Sequence, residues 1–112
     1  MTASEEERRK TERKSLRTRA TVILGQTQAF EVRTLDLSMG GMAIVAQANP
    51  KPGMELVIRF MVPLKPVGYT AFEARARVVH SVFSSSESGF KVGLSFIGLS
   101  AAASSAVHGY LG

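Results

Sequence analysis

Six times between Arg19 and Phe96 the chain alternates apolar residues with polar or small ones, and each time turn-forming residues stop the run. A period of two puts alternate side chains on opposite faces of an extended backbone, so the pattern predicts β-strands. Ala20, Val22 and Leu24 form the first run, and Gly25-Gln26-Thr27-Gln28 ends it. Phe30, Val32 and Thr34 carry the second up to Asp36, and Ser38-Met39-Gly40-Gly41 separates it from Met42 to Ala46. After Asn49-Pro50-Lys51-Pro52-Gly53 come Leu56, Ile58, Phe60 and Val62, stopped by Pro63 and Pro66. The fifth run is the longest, with Phe72, Ala74, Ala76, Val78 and Val82 on one face and Glu73, Arg75, Arg77 and Ser81 on the other. A serine-rich turn, Ser84 to Ser88, leads to Phe90, Val92, Leu94 and Phe96. Phe30, Phe60, Phe72, Phe90 and Phe96 all fit the alternation as core residues.

Short, evenly spaced strands with one polar face must curl or close to protect their edges, and a small barrel is the economical solution. The expected class is therefore mainly all-β, a six-stranded antiparallel β-barrel. The last segment differs: Ser100 can cap a run of helix formers from about 99 to 111, with Leu99, Ala103, Val107 and Tyr110 on one stripe. With 112 residues there is room for one domain and a tail. The chain has no cysteine, which excludes disulfides and thiolate metal sites. No apolar run approaches the roughly 18 residues needed to cross a bilayer, and MTASEEERRK has no apolar signal region, so the expected location is the cytoplasm.

Charge is unevenly placed. The formal net charge is +5, and residues 1–19 hold seven basic against four acidic side chains, a surplus of +3. The other seven basic and five acidic residues leave residues 20–112 with +2. This divides the chain into a basic arm, 1–19, expected to stay mobile until an anion orders it, and a nearly neutral body, 20–112. A solvated tail with a short helical turn is the plainer reading of the arm.

Two short motifs stand out. Arg9-Lys10-Thr11-Glu12-Arg13 lies in the arm, and Asp36-Leu37-Ser38-Met39-Gly40-Gly41 forms the loop between the second and third strands. Arginine's planar fork binds phosphate oxygens or the O6 and N7 edge of guanine, while aspartate accepts from guanine's N1 and N2 donors. A serine hydroxyl bonds phosphate or base, and paired glycines let backbone N–H groups approach a ligand. Together these parts suit an anionic guanine nucleotide. Arg13 to Arg17 repeats the arginine spacing.

Arg9-x-x-x-Arg13, then Asp36-x-Ser38-x-x-Gly41, then a last strand containing Val92-Gly93-Leu94-Ser95-Phe96 resemble the motifs of the PilZ domains, bacterial receptors for the second messenger cyclic di-GMP. The resemblance covers the chain from Arg8 to the C-terminal helix, and it implies the same fold, a six-stranded barrel with a helix. It implies that Arg9 and Arg13 grip guanine and phosphate while Asp36, Ser38 and Gly41 line the other side of the site, with Gly40 beside them. Arg8 resembles the extra arginine of members that hold an intercalated ligand dimer. His80 occupies a strand from which some relatives direct an aromatic side chain to a guanine, and from there it could face the barrel mouth.

The function implied is a cyclic di-GMP receptor without enzymatic activity or cofactor, whose arm closes on the ligand and whose signal passes to a separate effector protein in motility, adhesion or polysaccharide export. One alternative is a ligand-independent protein-interaction adaptor on the same fold. Another is a barrel that binds single-stranded nucleic acid, against which stand the small charge of the body and the absence of tryptophan. His80 and His108 have no partner at metal-ligand spacing, and no activated nucleophile or carboxylate pair marks an enzyme.

Overall fold

The computed structural model describes residues 12–112. Strands β1 (Lys14–Ser15), β2 (Arg19–Leu24), β3 (Gln28–Leu37), β4 (Gly41–Ala46), β5 (Glu55–Pro63), β6 (Tyr69–Ser84) and β7 (Gly89–Phe96) precede helix α1 (Ala101–Leu111). All pairings are antiparallel, in the order β3-β2-β5-β6-β7-β4, and β4 pairs back onto β3 to close a six-stranded barrel. Closure answers the edge problem posed by the alternating strands, and the six barrel strands are the six runs read from the sequence.

The inward residues build one core: Val22, Val32, Leu37, Met42, Ile44, Ile58, Phe60, Val62, Phe72, Val78, Val92 and Leu94 are all buried. Phe72 stacks between Phe60, at 4.7 Å between ring centroids, and Phe96, at 5.5 Å. Phe30 departs from the expected core set. It is 48% exposed, because it pairs with Val22 near the tip of the β2–β3 hairpin, where the ladder continues to Leu24↔Gln28.

α1 packs against β5 and β6 through Ala103 and Val107. Ser100 caps it, its Oγ accepting from the Ala103 N–H at 3.1 Å. Loss of a serine cap costs about 1 kcal/mol, so Ser100→Ala is expected to lower the unfolding free energy by about that amount, as read by urea denaturation.

The stretch that charge groups with the arm is partly fastened to the barrel. Leu16 is only 7% exposed and joins the core, and Lys14 and Ser15 pair with Leu37 and Asp36. The buried Thr34 hydroxyl donates to the Leu16 carbonyl and accepts from the Thr18 N–H at 3.0 Å. The Tyr110 hydroxyl donates to the Ser15 carbonyl, and Lys14 Nζ donates to the Tyr110 carbonyl at 3.0 Å from a place 4.4 Å over the tyrosine ring. A lysine there also complements the negative end of the helix dipole.

A register shift between Val78 and His80 changes the faces of β6. Strict alternation puts Val82 with Phe72 inside and Ser81 outside. One extra residue at this bulge reverses the parity, so Val82 is 60% exposed and Ser81 pairs with the fully buried Val92. The reversal also turns His80 away from the barrel interior onto the outer wall, next to Gly93.

Candidate functional site

Across the outer wall runs one continuous row of cross-strand partners: Ser15 on β1, Asp36 on β3, Ala43 on β4, Gly93 on β7 and His80 on β6. Neighbouring strands lie about 4.8 Å apart, so the four strands from β3 to β6 span roughly 15 Å. The two middle positions are the smallest in the row. Their size makes a trough with Asp36 on one bank and His80 on the other. A cavity of about 640 Å³ lies along it, lined by Arg13, Arg17, Asp36, His80, Glu87 and Lys91 among others.

Arg13 and Arg17 both reach this cavity, as does Ser15 between them, because a spacing of two or four keeps side chains on the same side of an extended chain. Arg13 Nη1 donates to Asp36 Oδ1 at 2.8 Å. The same oxygen accepts from the Ala43 N–H at 3.0 Å, in the register shift between Thr34 and Asp36. Asp36 is thereby held by the backbone of β4 while presenting its carboxylate to the arginine. At the other end, Arg17 pairs with Glu87, a carboxylate from the turn between β6 and β7. Hydrogen bonds from Arg17 hold the Glu87 carboxyl below the usual range, helped by the charges of Arg17, Arg33 and Lys91 and opposed by partial burial.

The remaining loop residues lie just beside this cavity. Ser38, Gly40 and Gly41 line a second hollow of about 330 Å³ that shares Arg13, His80 and Gly93 with the first. Ser38 is 2% exposed, and its hydroxyl donates to the Gly41 carbonyl at 2.9 Å and accepts from the Gly41 N–H at 3.1 Å. That closed exchange shapes the loop. The Gly40 carbonyl accepts from the Phe96 N–H at 2.9 Å, tying the loop to the end of β7.

Thus Arg13, Asp36, Ser38, Gly40, Gly41 and His80 come together on one wall of the barrel, while Arg8 and Arg9 lie outside the described residues. Arg17, Glu87 and Lys91 also line the cavity and were not singled out as site residues from the sequence. The Arg13-to-Arg17 repeat was the available signal for the first. Glu87 and Lys91 sit in and after a serine-rich turn that carries no motif, and only the β4–β7 and β6–β7 registers bring them to the trough.

Gly93 serves the trough by having no side chain. A Cβ there would lie 2.1 Å from His80 Cε1 and 2.4 Å from Nδ1. Its obstacle is a side chain that can rotate away. Gly93→Ala is therefore expected to keep the fold, lowering the melting temperature by no more than about 5 °C, while displacing the imidazole and moving the His80 ring resonances in an NMR spectrum.

The class defined by this architecture is the small closed antiparallel barrel with a packed C-terminal helix and a charged trough on its outer wall. The model of the PilZ domain matches residues 7–112, and the chain belongs to that family. Among solved structures the fold is similar to the Bacillus subtilis inhibitor of motility MotI/DgrA, with a TM-score of 0.76 at 17% identity, covering 88% of this chain and 47% of that one. It is also similar to the Borreliella burgdorferi PlzA protein in complex with c-di-GMP, with a TM-score of 0.66 at 14% identity, covering 99% of this chain and 44% of that one. The chain thus spans less than half the length of either. No curated protein matches it.

Proposed function

We propose that this chain is a cytoplasmic cyclic di-GMP receptor that binds its ligand in the outer trough, without catalysis or cofactor, and signals to a separate effector protein. The observation that carries the reading is the meeting of Arg13, from the first motif, with Asp36, from the second, at the edge of a trough floored by Ala43 and Gly93. A guanidinium held by a carboxylate at a nucleotide-sized hollow supplies a fork for phosphate or guanine and an acceptor for the guanine N1 and N2 donors. Membership of a family of cyclic di-GMP receptors supports the ligand, as does the likeness to a fold solved with c-di-GMP bound. Arg9, and Arg8 with it, would add further forks from the segment preceding Arg13, allowing one ligand or an intercalated pair. Closing of the basic arm on the ligand would change the surface a partner meets. The likeness to a motility inhibitor supports an output of that kind.

Isothermal titration of the chain with cyclic di-GMP tests the reading. Saturable binding with one or two ligands per chain, unmatched by GMP or an unrelated oligonucleotide, is expected. Equal binding of the oligonucleotide, with steep salt dependence, supports the nucleic-acid alternative. Absence of any binding favours the ligand-independent adaptor.

A further inference from the structure

One carboxylate in the trough belongs to neither motif. Glu87 stands in the Ser84–Ser88 turn, its side chain 18% exposed, and takes both terminal nitrogens of Arg17, Nη1 to Oε1 at 3.3 Å and Nη2 to Oε2 at 3.2 Å. Arg33 Nη2 donates to the Glu87 backbone carbonyl at 2.8 Å, and its Nη1 lies 3.9 Å from Oε1. This is the two-pronged arrangement with which an arginine receives a phosphate.

We propose that Glu87 is an internal substitute for a ligand phosphate, holding Arg17 in the free protein until a cyclic dinucleotide displaces it and takes the Arg17 fork with a phosphodiester. The proposal rests on the cyclic di-GMP reading and adds an affinity-setting residue to it. Charge supports the exchange. The cavity is lined by Arg13, Arg17 and Lys91 against Asp36 and Glu87, a balance of +1 with histidine neutral, and withdrawal of Glu87 raises it to +2, matching a ligand with two phosphodiester charges.

The two carboxylates are also held differently. Asp36 sits within a strand and accepts from the β4 backbone. Glu87 rides on a short turn in which Ser88 takes a φ of 58°, a region that disfavours a side chain, and the Ser88 N–H reaches the Ser85 carbonyl at 3.2 Å. Moving Asp36 disturbs the barrel, whereas moving Glu87 disturbs a turn. Ligand entry would therefore loosen the Ser84–Ser88 turn as it takes over the Arg17 fork.

Titration of the full chain with cyclic di-GMP, comparing wild type, Glu87→Gln, Arg17→Ala and the double variant, tests this. Glu87→Gln keeps the size and removes the competing charge, and is expected to bind about fivefold tighter. Arg17→Ala is expected to bind about tenfold weaker, and the double variant to bind within about twofold of Arg17→Ala, because loss of the Glu87 charge matters mainly where it frees the Arg17 fork. Hydrogen exchange of the Ser84–Ser88 amides should accelerate when ligand is added to the wild type. If the wild type binds but Glu87→Gln binds equally or more weakly, or the two substitutions act additively, the displacement is overturned and the receptor reading stands. If neither the wild type nor any variant binds, both fall.

Discussion

Arg13→Ala is expected to weaken cyclic di-GMP binding about a hundredfold while leaving the melting temperature within about 3 °C of the wild type. The contrast follows from what Arg13 does in each state. In the free protein its half-exposed guanidinium makes one ion pair, with Asp36, and such surface pairs contribute roughly 0 to 1 kcal/mol. Against a phosphodiester or a guanine edge the same group makes charge-assisted, two-pronged bonds worth about 2 to 3 kcal/mol, and each 1.4 kcal/mol is a factor of ten. Arg13→Lys should recover only part of the loss, because an ammonium has the charge without the fork. Calorimetric titration with a parallel thermal melt checks both halves. An affinity loss below threefold would remove Arg13 from the site.

The second large effect is on folding. Gly41→Ala is expected to destabilise the protein by about 3 kcal/mol or more, lowering the melting temperature by about 15 °C. A Cβ at Gly41 would lie 2.0 Å from the Leu94 carbonyl oxygen, 3.0 Å from its carbon and 3.2 Å from Ser95 Cα. All three are backbone atoms, so no side chain can move aside, and relief requires β4 to part from β7 where the barrel ladder begins at Gly41↔Ser95. Gly93 makes the useful control, since its obstacle is the His80 ring. A circular-dichroism melt within 2 °C of wild type would contradict the close approach. This motif glycine, the first residue of β4, is thus required by strand packing, and any loss of binding in Gly41→Ala has to be read with the melt beside it.

These residues show what could be read from sequence. The six barrel strands are legible because each repeats its apolar residues every two positions and ends at turn formers. Ser100 is legible as a cap because it precedes a run of helix formers with Ala103 and Val107 on one side. The bulge after Val78 is not, because Val79, His80, Ser81 and Val82 read apolar, polar, polar, apolar, a pattern that favours neither register, and only pairing with Gly93 and Val92 decides which way they face. Leu16 reads as part of a charged arm because Lys14, Ser15, Arg17 and Thr18 surround it, and one buried leucine with the Thr34 hydroxyl outweighs that composition locally. At the site, the motifs put Arg13 and Asp36 together. They do not reveal that the Ser38 hydroxyl is spent on its own loop, nor that a glutamate fifty-one residues beyond Asp36 in the chain shares the cavity.

The closed ladder has a kinetic consequence. β2 meets β5 at Thr21↔Arg59 and β4 meets β7 at Gly41↔Ser95, contacts between distant parts of the chain whose loop closure makes folding slow compared with a helical domain of this size. The trough crosses the β4–β7 seam, with Ala43 on one side and Gly93 on the other. A nascent or partly unfolded chain that has formed only its hairpins carries every motif residue but no floor on which they can meet. On the receptor reading proposed above, ligand binding would therefore report a finished barrel, and a cell sensing through this domain would hear only from copies that have completed folding.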